Sequence, residues 1–563
     1  MVHAAIKHAQ QLLDENAELA ARLQVSEEQI RALRDENERL KGEANRHCER
    51  AVLLEEEVRW FKAQVFGRSA EHSALEVSPD QQMLFNEAEV LAAIEAADAA
   101  HAKRTTPIPA HERAHTGGRK AIPKEFPRQE ITHDLTEAEK LCPHDGTPLQ
   151  RFGEEASERY AYQRPKIWVE RHVRPKYCCP TCREGVRIAP PPPHILPKSN
   201  ASASLLAQLI ANKFVDGMPI YRTCQQLSRL GLELSPGTAG SWVNAVGDTV
   251  TPLLRLMHEQ ILSAPFIHMD ETYLQVLKSE KAPTSTHFMV VRAAGPPGQR
   301  IVMFNYEASR TVQALKGLLI GPNGPYAGKL LTDGLELYDS VTEALGLLHF
   351  GCLVHCRRYF DKAAKVTELP SGRSLARVAM EDYLGKVFAI ERKINALRDQ
   401  CQKDGSDPLP QILARRQEQS APIMTAFKRW VDELLPGVPP KSALGKALSY
   451  TTGQWEKLRR FLDHPEMPAE NNYCENQIRP FAVGRRSWLF CETHVGATAS
   501  ANLYSLVMTC RANDIEPYAY LTHLLEQLPK AVTIEQLEAL LPWNHTVVAC
   551  RHSLARRNIP TPR

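Results

Sequence analysis

No apolar run in this chain approaches the roughly 18 residues that a membrane-spanning helix needs, so no membrane association is expected. A signal peptide is missing too: the N-terminus, MVHAAIKHAQQLLDENAEL, is too acidic and too poor in apolar residues. Nor is there a strong excess of either charge. The formal net charge is +3, which alone does not announce a nucleic-acid partner. The distribution says more. The first sixty residues are rich in acid, whereas residues 545–563 hold Arg551, Arg556, Arg557 and Arg563 with no Asp or Glu. Cysteine occurs 13 times, an odd count in a chain of 563 residues. With no leader to direct export, that usage points to reduced thiols in the cytoplasm, a few of them on metal. The length predicts about three to five domains.

Residues 5–63 carry a seven-residue apolar period. Leu12, Leu19, Leu33, Leu40, Leu54 and Phe61 fall at d, with Leu23, Ile30 and Val58 at a. Asn16 and Asn37 also fall at a, which favours a parallel dimer in register. The segment 1–65 is therefore expected to be a leucine-zipper-like coiled coil that pairs two or more copies of the chain. Residues 66–130 read mostly as a flexible linker, basic and rich in Pro, Gly, Lys, Arg and His over 100–130. Residues 131–192 read as a small module of strands closed by the proline run APPPPHILP. Residues 193–260 turn helical, with Ser235 as a cap and Pro236 in the first turn of the second helix of a helix-turn-helix. That helix, around Thr238 to Asn244, is the candidate for a major groove.

From residue 261 the period changes again. FIHMDETYLQVL, THFMVVRAA and RIVMFNYEA are three closely spaced strands, TVQALKGLLIG a helix, and GKLLTDG and LLHFGCLVH two further strands. This predicts a mixed sheet with helices packed on it over 261–360. Residues 361–465 read as a helical insertion, 466–525 as the return to the sheet domain, and 526–563 as a basic tail region.

Three acids stand out against this layout. Asp270 lies in the first strand, Asp333 ends the fourth, and Glu475 lies on a polar helical pattern after the insertion. Magnesium takes hard oxygen ligands and keeps several waters, so a few carboxylates suffice to hold it. Asp270 is expected to bridge two Mg2+ (or Mn2+) ions, with Asp333 and Glu475 each holding one, an arrangement suited to phosphodiester chemistry. Each acid taken alone also fits a turn former or a helix cap, Asp333 before Gly334 above all. The surroundings favour the metal. Arg479, Arg485, Arg486 and Trp488 follow Glu475, and Arg357 and Arg358 follow the fifth strand: groups that grip phosphate or stack on a base.

A second metal is expected in the module at 131–192. Cys179 and Cys182 form a CxxC pair with zinc-knuckle spacing. The facing turn, CPHDG, offers Cys142, with His144 or Asp145 where a second cysteine would complete the pattern. The fourth Zn2+ ligand is open, and Cys178 is a further candidate.

These strings together resemble the transposases of the insertion-sequence-66 family. The resemblance runs through VFGRSAEHS, QQMLFNEAE, CPHDG, CPTC, HMDET, TDGLELY, CLVHCRRYF, NNYCENQIRPFAVGRRSWLF and the closing LPW. It implies a multidomain α+β chain: coiled coil, zinc-finger-like β module, helix-turn-helix region, and an RNase H-like core with a helical insertion. It also implies an Asp-Asp-Glu triad, which falls on Asp270, Asp333 and Glu475. The NNxxE pattern selects Glu475 over nearby Glu470. The implied activity is cleavage at the ends of a bacterial insertion sequence, recognised by terminal inverted repeats, then strand transfer into target DNA. The alternatives are a catalytically inactive DNA-binding regulator derived from such a transposase, and an RNase H-like nuclease. The implied location is the bacterial nucleoid, and small accessory proteins encoded by the same element are further expected partners.

Overall fold

The structure, a computed structural model, describes residues 186–279, 287–366 and 373–544 continuously, with 165–178 and scattered residues between 29 and 161. The heptads of 5–63 lie almost wholly outside the described residues. So do Cys142, His144, Asp145, Cys179 and Cys182, the candidate zinc ligands. The chain divides into two compact units. One comprises Leu75–His349 and Asn471–Arg563; the other comprises Met1–Ala74 and Phe350–Glu470.

The first unit opens with α1 (Ala203–Phe214), α2 (Ile220–Ser228), α3 (Pro236–Thr249) and α4 (Thr251–Ile261). Local chemistry sets these boundaries. The Ser235 hydroxyl accepts from the Thr238 N–H at 3.1 Å, satisfying one of the donors that a helix start leaves unpaired. Pro236 occupies the first turn, where its missing N–H costs nothing. Gly231, at φ +92°, makes the turn between α2 and α3.

Next come β1 (Phe266–Leu274), β2 (Val276–Lys278), β3 (His287–Ala294), β4 (Ile301–Glu307), β5 (Lys329–Thr332) and β6 (Leu348–Gly351). The five-stranded sheet runs in the order β6-β5-β1-β3-β4. The β1–β3 and β3–β4 pairs are antiparallel, and β1–β5 is parallel. Every residue of β3 is buried, as befits a strand covered on both faces. Between β4 and β5 the helix α5 is shorter than its apolar run suggested. It spans only Val312–Gly317, and Ile320–Gly321 then pairs with Gly324–Pro325 in a tight hairpin. The helix α6 (Glu336–Leu345) follows β5 and ends at Gly346 in the left-handed conformation.

After the second unit the chain returns as α7 (Asn472–Trp488), β7 (Cys491–Thr493), α8 (His494–Ala512) and α9 (Pro517–Gln527). β7 pairs in parallel with β2. The helix α8 closes the sheet edge at β4. Thr509 and Ser505 accept from the N–H groups of Val302 (3.0 Å) and Phe304 (2.8 Å), and Asn513 accepts from Arg300 at 2.9 Å. Three side chains four residues apart thus satisfy an edge that would otherwise invite another strand. On another face α8 meets α3 so closely that a Cβ on Gly247 would stand 2.6 Å from the Ala499 Cβ.

The second unit is helical where described, with Leu353–Val366, Gly385–Asp404, Leu409–Arg415, Ala421–Leu434 and Ala443–Arg459 as its main helices. Phe360, Phe427 and Leu448 form its core. Its fully buried Arg416 is held bidentately by Glu391, at 2.9 and 2.7 Å, and donates to the Phe461 carbonyl at 2.7 Å. A buried arginine is tolerated because its fork is satisfied.

Candidate functional site

The three acids singled out from the sequence all belong to the first unit. Asp270 sits within β1 and is 4% exposed. In the parallel ladder His268 partners Leu331. That is the last pair of the ladder, and Asp270 and Asp333 each follow two residues later, Asp333 just past the end of β5. The Asp333 carboxylate also accepts from the Leu335 N–H at 3.1 Å. The turn-forming role that an Asp-Gly pair suggests is therefore real and coexists with this placement.

Glu475 arrives from α7 and is buried. Two contacts fix where that helix lands. The Asn471 side chain, just ahead of the helix, pairs with the His268 ring at 2.8 Å and donates to the Met269 carbonyl at 3.2 Å. The Cys474 thiol donates to the Val291 carbonyl at 3.4 Å, and Val291 is the β3 partner of Asp270. The residue before Glu475 is thus bonded beside Asp270. The electrostatics agree: burial pushes the Cys474 thiol well up, and the charges of Asp270, Glu475 and Glu271 push it further. At neutral pH Cys474 is a thiol and a donor.

The opposite face of the sheet holds groups that sequence reasoning missed. Successive strand residues point to opposite faces, so Glu271 leaves the Asp270 side. It receives Arg310 and the Tyr338 hydroxyl of α6. Burial raises its pKa, Arg310 opposes that, and the charge of Asp333 adds to it. Beside it, the His349 ring bridges the Thr332 hydroxyl (2.8 Å) and Asp339 (2.9 Å). The Thr332 hydroxyl also lies 2.8 Å from the Asp333 carbonyl. The one available signal was the placing of charged and polar groups inside apolar strand runs, in HMDET and LLHF.

The candidate phosphate contacts divide. Arg486 is exposed and Arg479 half-buried on α7. Arg485 is 9% exposed. Its guanidinium donates to the Thr272 hydroxyl at 3.0 Å and to the Tyr273 carbonyl, and lies 3.9 Å over the Tyr273 ring. It fastens α7 to β1 and presents no open surface. Trp488 packs edge-on against Phe481, with ring centroids 5.4 Å apart. Arg357 and Arg358 belong to the second unit. Arg357 is exposed with its guanidinium 5.6 Å over the Phe388 ring, and Arg358 lies 3.2 Å from the His355 ring nitrogen.

A family model described as "Transposase IS66 family" matches residues 198–499, more than half of the chain. The chain belongs to the IS66 transposase family. Three further models match other stretches. The "IS66 C-terminal element" matches 505–543, the "zinc-finger binding domain of transposase IS66" 139–183, and the "Transposase C of IS166 homeodomain" 53–131. Similar chains include uncharacterized protein y4jD of Sinorhizobium fredii, 28% identical over 465 residues, 78% of this chain and 87% of that one. Uncharacterized protein y4hP of the same organism is 26% identical over 509 residues, 87% of this chain and 88% of that one. Membership in a family of Asp-Asp-Glu transposases implies divalent-metal use, and the DNA-binding modules make DNA the partner. No helix among the described residues is long and apolar enough to cross a membrane.

Proposed function

We propose that this IS66-family chain is an active DNA transposase whose Asp270, Asp333 and Glu475 form the catalytic triad on an RNase H-like sheet. The observation that supports the reading is the β1–β5 ladder, whose last pair, His268–Leu331, lies two residues before both Asp270 and Asp333, while Asn471 and Cys474 dock the Glu475 helix onto β1 and its neighbour β3. The donor set is carboxylate oxygen throughout, which fits Mg2+ or Mn2+. Bound there, such ions neutralise charge on the attacking and leaving oxygens of an in-line displacement. The chain's own part is to hold the acids rigidly and to line the DNA path with cations. In cleavage a water oxygen attacks phosphorus and the 3′-oxygen leaves as a hydroxyl; in joining, that freed 3′-hydroxyl loses its proton and attacks a target phosphorus, whose own 3′-oxygen leaves and is protonated.

The zinc-finger module, with Cys142, Cys179, Cys182 and either His144 or Asp145 at Zn2+, and the helix pair α2–α3 are proposed to recognise the inverted repeats. The N-terminal heptads are proposed to join two copies so that both ends are processed together. Within the helix pair, the exposed face of α3 carries Thr238, Ser241, Ala245 and Asp248, with no cation. The side of α2 exposes Arg222, Gln225 and Arg229. The phosphate-directed charge therefore sits on and just after the first helix, and α3 is left to read bases with small polar groups.

The test is Asp333→Asn in the full chain, assayed on a duplex carrying the element's own end. Mg2+-dependent cleavage and joining should fall by at least about 10³-fold with end binding nearly intact. Retained cleavage sinks the triad. Binding without joining by the unaltered chain would indicate a DNA-binding derivative.

A further inference from the structure

The Glu475 helix ends in an unusual turn. Leu489 has φ +63° and ψ −52°, and the Phe490 N–H bonds back to the Trp488 carbonyl at 2.8 Å. That is the three-residue turn with a positive central φ, a rare conformation that strains any residue with a Cβ. Strain of this kind persists only where the surroundings over-determine it. Here they do. On one side the Leu489 N–H is held by the Arg485 carbonyl at 2.6 Å, and on the other the Cys491 N–H is held by the Gln275 carbonyl at 2.9 Å. The result of this enforced turn is exposure. Leu489 is 61% and Phe490 42% exposed, while Trp488 turns inward onto Phe481.

The turn stands at the end of a marked stripe. Glu475, Arg479, Val483 and Arg486 follow one another at helical spacing along one side of α7, and the stripe leads from the buried acid to exposed Arg486 and then to the turn. Thirteen residues of helix separate Glu475 from Trp488, about 20 Å at 1.5 Å per residue. At about 3.4 Å per nucleotide that is roughly six base steps.

We propose that Leu489 and Phe490 are a DNA wedge. With an element end lying along the arginine stripe and its scissile phosphate at Glu475, the two side chains press into the stack roughly six steps away and unstack a base onto Phe490. The partner is duplex DNA. Cations that track a backbone beside apolar side chains that displace a base are the chemistry of that contact. This inference rests on the Asp-Asp-Glu reading of the same helix.

The experiment uses the full chain and a duplex of the element's own end, with 2-aminopurine placed singly four to eight nucleotides from the cut. The unaltered protein should raise the fluorescence at one of these positions. Phe490→Ala should abolish the rise and weaken end binding roughly 5- to 150-fold, the range for loss of one base–aromatic stack. Leu489→Gly should also lose the rise while its melting temperature stays the same or increases, since glycine relieves the positive φ. Overturning results are a Phe490→Ala protein with the full rise, no rise at any position with the unaltered protein, or a lowered melting temperature for Leu489→Gly. A change of oligomeric state in Phe490→Ala with unaltered DNA signals would assign the turn to a protein contact and equally overturn it. Asp270→Asn separates the two levels. If it retains Mg2+-dependent cleavage, the triad reading fails. If it loses cleavage while Phe490→Ala keeps the rise, only the wedge fails.

Discussion

Asn471→Ala is the substitution that most directly probes how Glu475 is brought to Asp270. The Asn471 side chain is fully buried and makes two bonds to β1, one with the His268 ring and one to the Met269 carbonyl. Burial holds His268 down to a pKa of about 4, so at neutral pH it is uncharged, and its Nδ1–H donates to the Asn471 oxygen. Alanine leaves that N–H buried without an acceptor, which costs about 1–3 kcal/mol, and removes a second bond worth about 1 kcal/mol. The expected loss is roughly 2–4 kcal/mol, a large part of the stability of an ordinary domain. Urea unfolding should show a lower midpoint with an unchanged m-value. Cleavage, measured well below the variant's melting temperature, should fall by more than the unfolded fraction explains. A displacement of about 1 Å in a catalytic group costs on the order of 10²-fold. Asn471→Asp keeps an acceptor for His268 but no donor for Met269, and should fall between alanine and the natural residue. A loss below about 1 kcal/mol together with normal cleavage would refute the docking role.

Two further outcomes follow from buried bases. Arg485→Lys should cost about 2 kcal/mol, since lysine reproduces neither the fork to Thr272 and Tyr273 nor the planar stack on the Tyr273 ring. The salt dependence of DNA binding should stay unchanged, and a shallower log–log slope would show instead that Arg485 grips phosphate. For His268 the sign runs toward acid lability. Its folded pKa of about 4 lies below the ordinary 6.5, so between these values the unfolded chain binds the extra proton. The stability is complete above about pH 6.5 and is lost as the pH falls toward 4. At 1.36 kcal/mol per pH unit it amounts to roughly 3 kcal/mol. His268→Gln should flatten that part of a urea-midpoint profile, and an equally steep profile would contradict it.

The strands of the sheet were legible because their apolar runs are long and the breaks between them carry Gly, Pro and Asn. The α3 cap was legible because Ser235 and Pro236 act through neighbours in sequence. What was not legible depends on partners far along the chain. His268 and Asn471 are 203 positions apart. No local pattern says that an asparagine in a polar helix start will be fully buried against a strand. Arg485 and Arg486 look alike in sequence, yet adjacent helical positions face directions about 100° apart. One therefore packs under Tyr273 and the other meets solvent. Trp488 packs on Phe481 for the same reason, and the aromatic exposed two residues on is Phe490, beside the positive φ of Leu489.

The distribution of polar groups across the sheet gives the candidate site its rigidity. Asp270, between His268 and Thr272, lies on the face toward α7, and Asp333 directly follows β5. Their immediate neighbours Glu271 and Thr332 lie on the other, where α6 supplies Tyr338 to the first and Asp339, through His349, to the second. Each aspartate is thus flanked by a residue whose side chain is hydrogen-bonded behind the sheet. A carboxylate that must keep its position among like charges needs more than its own contacts, here the Glu271 N–H to Asp270 at 2.8 Å and the Leu335 N–H to Asp333 at 3.1 Å. Fixing the backbone from the reverse face adds to those bonds. This explains why a buried glutamate is kept next to Asp270 despite its desolvation cost: with Arg310 and Tyr338 it pins the strand, and the acid on the working side inherits that order.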